Sequence, residues 1–118
     1  MHIGFRTSGG RGESAELVFG TNDPYEVGSQ IRSWLSEYLL SGPLIPCELA
    51  GNRAVTAVRN LIGDTLPIRA TPGSIRADYS TDSPDLAASE RRPVHNLIHA
   101  SGDVLEADRE LKLWFPES

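Results

Sequence analysis

Asn96-Leu97-Ile98-His99-Ala100-Ser101, followed by Ala107-Asp108-Arg109-Glu110-Leu111-Lys112-Leu113-Trp114-Phe115, is the stretch on which the reading of this chain turns. A short apolar run over residues 94–99 predicts a strand that ends on a histidine. Asp103 and Glu106 make a capping pair for a following helix, whose predicted buried stripe is Val104, Ala107, Leu111 and Trp114 or Phe115. Glu110 lies on that helix, 11 positions after His99. A nucleophilic side chain, a carboxylate that orients it and nearby charge stabilisers are the general signature of covalent catalysis. His95 and His99 also invite a metal reading, since residues four apart on a helix share a face and can chelate zinc. On a strand the same pair lies ~13 Å apart at ~3.3 Å per residue, so the strand reading disfavours chelation.

Working back towards the N-terminus, residues 44–49 read as a second strand. Asn52 is the expected cap of a helix whose Val55, Val58, Leu61 and Ile62 form one face. Residues 67–73 read as loop, and residues 82–90 as a polar stretch with at most a helical turn. Asp23 or Asn22 caps a helix starting near Pro24, because proline suits the first helical turn. Val27, Ile31, Trp34, Leu35, Tyr38 and Leu39 recur at helical spacing along it, and Gly42-Pro43 stops it. Residues 2–7 and 15–19 are strand candidates joined by the turn Ser8-Gly9-Gly10-Arg11-Gly12, a plausible hairpin. That glycine-rich turn lacks the lysine and helix of a phosphate loop. Strands and helices alternate after residue 24, which suggests an open α/β arrangement.

Composition narrows the class. At 118 residues the chain reads as one domain, 1–118, with one ordinary core. A net charge of −5 and a pI near 5.1 disfavour a general polyanion binder, so no nucleic-acid partner is expected. Arg91-Arg92 is too short a basic patch to change that. Acidic proteins still grip single nucleotides through a few placed arginines. Cys47, the one cysteine, excludes an internal disulfide and reads as a buried small hydrophobe. No apolar run is long enough for a membrane span and no signal-peptide core is evident, so the expectation is a soluble, cytoplasmic protein.

The stretch quoted first resembles the C-terminal part of the nucleoside diphosphate kinases, which carry Asn-(Ile/Leu)-(Ile/Val)-His-(Gly/Ala)-Ser before a helix ending Glu-Ile-x-Leu-Trp-Phe. The likeness continues upstream in Ser41-Gly42-Pro43, Gly51, Ala54-Val55, Arg59, Gly63, Thr65 and Pro67. It includes Pro72-Gly73-Ser74-Ile75-Arg76-Ala77-Asp78, similar to the family's Pro-Gly-Thr-Ile-Arg-Gly-Asp. About two-thirds of the chain is covered, from Ser41 to Phe115. The longer segment over residues 79–92 and the His-Ala-Ser-Gly sequence resemble the archaeal-type branch.

What the resemblance implies is specific. The fold would be α/β (α+β), a ferredoxin-like antiparallel sheet with helices packed on it. The reaction would move the γ-phosphoryl of ATP, or another nucleoside triphosphate, to a nucleoside diphosphate through a phosphohistidine. His99 would be the nucleophile and Glu110 the orienting carboxylate. Arg59, Thr65 and Arg76 would hold phosphates, Asn96 would lie near the ribose, and Ser101 would bond the glutamate. Mg2+ would be bound through the nucleotide phosphates, with no dedicated metal site in the protein. A homo-oligomer would be the working form.

Residues 1–40 depart from the family pattern. The first-strand Lys-Pro-Asp is absent, and the only lysine is Lys112. Arg6 or Arg11 are the available substitutes, and Tyr25 is the available aromatic for a base. The departure leaves open a catalytically impaired nucleotide-binding or assembly domain of the same family, and a phosphohistidine carrier that serves a protein partner.

Overall fold

A computed structural model describes residues 15–117. The expected strand at residues 2–7 and the glycine-rich turn lie outside that range.

Ala15–Phe19 forms helix α1, not the strand expected. Ala, Glu and Leu favour helix, and Gly20 at φ 72° ends it, its N–H returning to the Glu16 carbonyl at 2.9 Å. Helix α2, Pro24–Leu40, starts as the sequence predicts: Asp23 accepts hydrogen bonds from the N–H groups of Tyr25 and Glu26, and Pro24 opens the first turn. Phe19 stacks on Trp34 with ring centroids 5.1 Å apart, and Gln30 Nε2 donates to the Phe19 carbonyl. These contacts fold α1 back on α2. Only part of the predicted α2 stripe is covered: Val27, Ile31, Trp34 and Tyr38 are half-buried, whereas Leu35 and Leu39 are exposed.

Helix α3, Ala54–Ile62, is preceded by Arg53 in the left-handed region (φ 52°), and no side chain caps it. Asn52 is therefore not the cap. Ile62 is buried, but Leu61 is exposed. A 3-10 turn spans Pro67–Arg69 inside the expected loop. Two short helices follow, α4 (Ile75–Tyr79) and α5 (Pro84–Ser89), the latter capped by the Ser83 side chain. Helix α6, Val104–Trp114, starts on Asp103, which accepts from the Glu106 N–H at 2.8 Å. The reciprocal bond differs from a capping box, because Glu106 reaches back to the Gly102 N–H. The predicted α6 stripe is largely uncovered: Val104 and Trp114 are exposed, and Ala107, Leu111 and Phe115 are half-buried.

No hydrogen-bonded β-ladder forms among the described residues, so both strand expectations are corrected. Residues 44–49 are irregular and exposed, with Ile45 and Leu49 facing solvent. Cys47 is exposed as well, contrary to expectation, because among the described residues no layer lies over this segment. Residues 94–99 are interrupted by Leu97 at φ 68°, a conformation foreign to a strand. The described core is correspondingly small and partly polar. Ile62 and Ala87 are its buried hydrophobics, beside Ser74, Arg76 and Asp82. Gly63 sits at φ 85°, and a Cβ there would clash with the Ser74 side chain, so glycine suits the close approach of α3 to the turn before α4.

Candidate active site

Three of the sequence-selected residues meet directly. His99 Nε2 lies 2.9 Å from Glu110 Oε1, and Ser101 Oγ donates to Glu110 Oε2 at 2.7 Å. Helix α6 makes this possible by bringing Glu110 back over the turn that follows His99. The imidazole stays open to solvent, its side chain 58 % exposed against 26 % for Glu110. Burial alone would raise the Glu110 pKa. The bonds from Ser101 and His99, with the charges of His99 and Arg109, outweigh it and hold the carboxyl below its ordinary range.

His99 is the end of a segment whose backbone is held by side chains in place of a neighbouring strand. The His95 N–H donates to Asp82 Oδ2 at 2.6 Å, and Ser80 Oγ donates to the His95 carbonyl. Arg76 donates to the carbonyls of Asn96 (3.2 Å), Ile98 (2.5 Å) and Gly63 (3.1 Å). The Leu97 N–H donates to the Tyr38 hydroxyl at 3.2 Å. Asp82 is in turn gripped by Arg92 through two bonds of 2.7 and 3.0 Å. That guanidinium is the main reason the Asp82 pKa falls to about 2, and Asp82 raises the Arg92 pKa in return. Arg92 thus belongs to this scaffold and not to a surface patch.

Arg76, on α4, reaches the segment that ends on His99. It is buried, and its three carbonyl bonds leave two of its five N–H groups. Burial first, and then the charge of nearby Arg59, lower its pKa; Asp64 opposes that shift in part. Arg59, on α3, lies against the turn after His99: a Cβ on Gly102 would be 3.9 Å from one of its terminal nitrogens. Among the described residues no carboxylate pairs with Arg59 or Arg76 within ion-pair distance. Two neighbouring guanidinium groups that no described carboxylate neutralises suit a polyphosphate. Thr65 is exposed on the loop just after Gly63, whose carbonyl Arg76 holds. Asn96 contributes its backbone carbonyl to the Arg76 grip.

His95 does not join His99. Its ring stacks on Tyr38, with centroids 4.4 Å apart, while the His99 ring turns to Glu110. Tyr38, Ser80 and Asp82 were not singled out by sequence reasoning as parts of the site. Tyr38 is hidden in the sequence by its place in an apolar helical stripe, and Asp82 by a polar segment without a motif.

Comparison with known proteins decides the family. The sequence profile described as nucleoside diphosphate kinase matches residues 25–118. The chain belongs to the nucleoside diphosphate kinase family. It is 56 % identical over 98 residues to a nucleoside diphosphate kinase of Pyrobaculum aerophilum, covering 83 % of this chain and 54 % of that protein. It is 42 % identical over 84 residues to one of Saccharopolyspora erythraea, covering 70 % and 54 %. A crystal structure of an NDP kinase from Pyrobaculum aerophilum superposes with a TM-score of 0.77 at 49 % identity, covering 88 % of this chain and 57 % of that one. The likeness supports the α/β class, although the described residues form no strand. The chain spans about half the length of the curated relatives it matches.

Proposed function

We propose that this chain performs nucleoside diphosphate kinase chemistry, with His99 as the phosphoryl acceptor. One observation carries the reading: the Glu110 carboxylate joins His99 Nε2 and Ser101 Oγ at hydrogen-bond distance. An ionised carboxylate only accepts, so the ring proton sits on Nε2. The lone pair then resides on Nδ1. Nδ1 attacks the γ-phosphorus of a nucleoside triphosphate and a P–N bond forms. The bond from that phosphorus to the bridging oxygen breaks, and the nucleoside diphosphate leaves with the electron pair. A second nucleoside diphosphate reverses the step and carries the phosphoryl group away. The imidazolium character that builds in the ring is stabilised by Glu110 through Nε2–H. Arg59 and the free N–H groups of Arg76 receive charge spread over the phosphate oxygens. Thr65 and Asn96 complete the nucleotide contacts.

Mg2+ carried on the nucleotide phosphates is the cofactor this reading implies. Among the described residues no group of three or more His, Cys, Asp or Glu side chains could hold a metal by itself. When bound, the ion would be held through the nucleotide phosphates and would supply neutralisation of their charge.

The substrates would be ATP and nucleoside diphosphates, with broad base tolerance, since the contacts named grip phosphate and sugar. The finer fold assignment is a ferredoxin-like antiparallel sheet with helices packed on it, a reading supported by the likeness to the NDP kinase crystal structure. Homo-oligomerisation is supported by the exposed Leu39, Leu44, Ile45 and Leu49. No described helix is long and apolar enough to cross a membrane, and a cytoplasmic location is consistent with that. Incubation with γ-labelled ATP followed by GDP tests the function. Acid-labile label on the protein that then passes to GDP supports it; absence of any protein-bound label contradicts it.

A further inference from the structure

We infer that Tyr38 is a positioning residue for His99, acting through the strained turn that precedes it; this rests on the phosphohistidine reading above. The Ile98 N–H returns to the Asn96 carbonyl at 2.8 Å, closing a three-residue turn with Leu97 at φ 68°. A leucine in the left-handed region is unfavourable and persists only where its surroundings hold it. The turn lies immediately before His99, so its geometry sets where the imidazole emerges.

Two side chains fix this turn directly, and two more anchor the residue before it. Arg76 takes the carbonyls on either side of Leu97, those of Asn96 and Ile98. The Leu97 N–H, pointing the other way, goes to the Tyr38 hydroxyl. Asp82 and Ser80 anchor His95 just upstream. The Tyr38 ring also stacks on His95 at an interplanar angle of 12°. Tyr38 stands on α2, and its ring and hydroxyl reach the segment that carries His99. Its hydroxyl is therefore the contact by which α2 controls the conformation of the nucleophile-bearing turn. Loss of the hydroxyl leaves the ring stack in place and frees the Leu97 N–H, so Leu97 can relax out of its strained state and shift His99 relative to Glu110. Small displacements of a reacting group lower rates steeply without altering substrate affinity.

Tyr38→Phe separates this role from simple packing. The variant should keep the wild-type melting temperature to within a few degrees and the wild-type KM for ATP. Its single-turnover labelling of His99 should fall about five- to tenfold, the scale of one lost hydrogen bond at the transition state. Amide hydrogen exchange at Leu97 should quicken in parallel, a readout independent of activity. Unchanged labelling and unchanged Leu97 exchange in Tyr38→Phe overturn the inference, as does a slower rate accompanied by equal loss of stability. If wild type takes no label, the phosphohistidine reading fails separately, and unaltered exchange at Leu97 still rejects the Tyr38 contact.

Discussion

The Glu110 carboxylate sits between two donors, with one oxygen 2.9 Å from His99 Nε2 and the other 2.7 Å from Ser101 Oγ. Both of its oxygens are committed, so the imidazole is held in one tautomer and one orientation. Ser101 fixes the carboxylate and the carboxylate fixes the ring.

Glu110→Gln keeps the shape and removes the charge. The amide can present its NH2 to Nε2 and select the opposite tautomer, which protonates Nδ1. Labelling of His99 should fall by about a hundredfold, within the range that positioned acid–base and orienting groups supply. Ser101→Ala should fall by less, about three- to tenfold, since Glu110 loses one of two partners. Single-turnover rates with γ-labelled ATP measure both, and equal rates for Glu110→Gln and wild type would remove Glu110 from the mechanism.

Arg59 should act on the nucleotide and not on the fold. It is exposed on α3 and pairs with no carboxylate among the described residues. Arg59→Ala should weaken ATP binding by about ten- to a hundredfold, as expected for loss of a charge-assisted hydrogen bond, and leave the melting temperature unchanged. Arg59→Lys should recover only part of the affinity, because an ammonium cannot fork across two phosphate oxygens. Isothermal titration with ATP is the direct measurement.

Asp82 predicts an acid-labile scaffold. Its carboxyl is held at about 2 by Arg92, below the ordinary carboxylate value. A depressed carboxyl stabilises the folded state above the unfolded-state pKa, near 4, and that contribution disappears as pH falls towards 2. Glu110 is lowered as well, so its contribution has the same sign. Thermal melts should therefore lose stability between about pH 4 and pH 2, and the loss should be smaller in Asp82→Asn. That variant should also be less stable at pH 7 by about 1.5–3 kcal/mol, the scale of hydrogen bonds to a charged group.

The residues of the candidate site are more legible in the sequence than the architecture. The types and spacing of His99 and Glu110, and the family resemblance for Ser101, single out three side chains that meet across one turn and one helix. Helices α2, α3 and α6 were legible through their apolar periodicity, and α2 and α6 also through their capping aspartates Asp23 and Asp103. The strands were misjudged because an apolar run becomes a strand only when another backbone pairs with it, and residues 44–49 have no such partner among those described. Ala15–Phe19 was misread because five residues are too few for either period to stand out. The scaffold of Tyr38, Arg76, Ser80 and Asp82 joins residues up to 59 positions apart, a relationship that no local pattern encodes.

The decisive measurement is acid-labile phosphate on the wild-type chain and on His99→Gln after exposure to γ-labelled ATP. The account predicts label on wild type that chases to GDP, with none on His99→Gln although the variant still binds ATP. Label that persists on His99→Gln, or a wild type that binds ATP and never becomes phosphorylated, contradicts it.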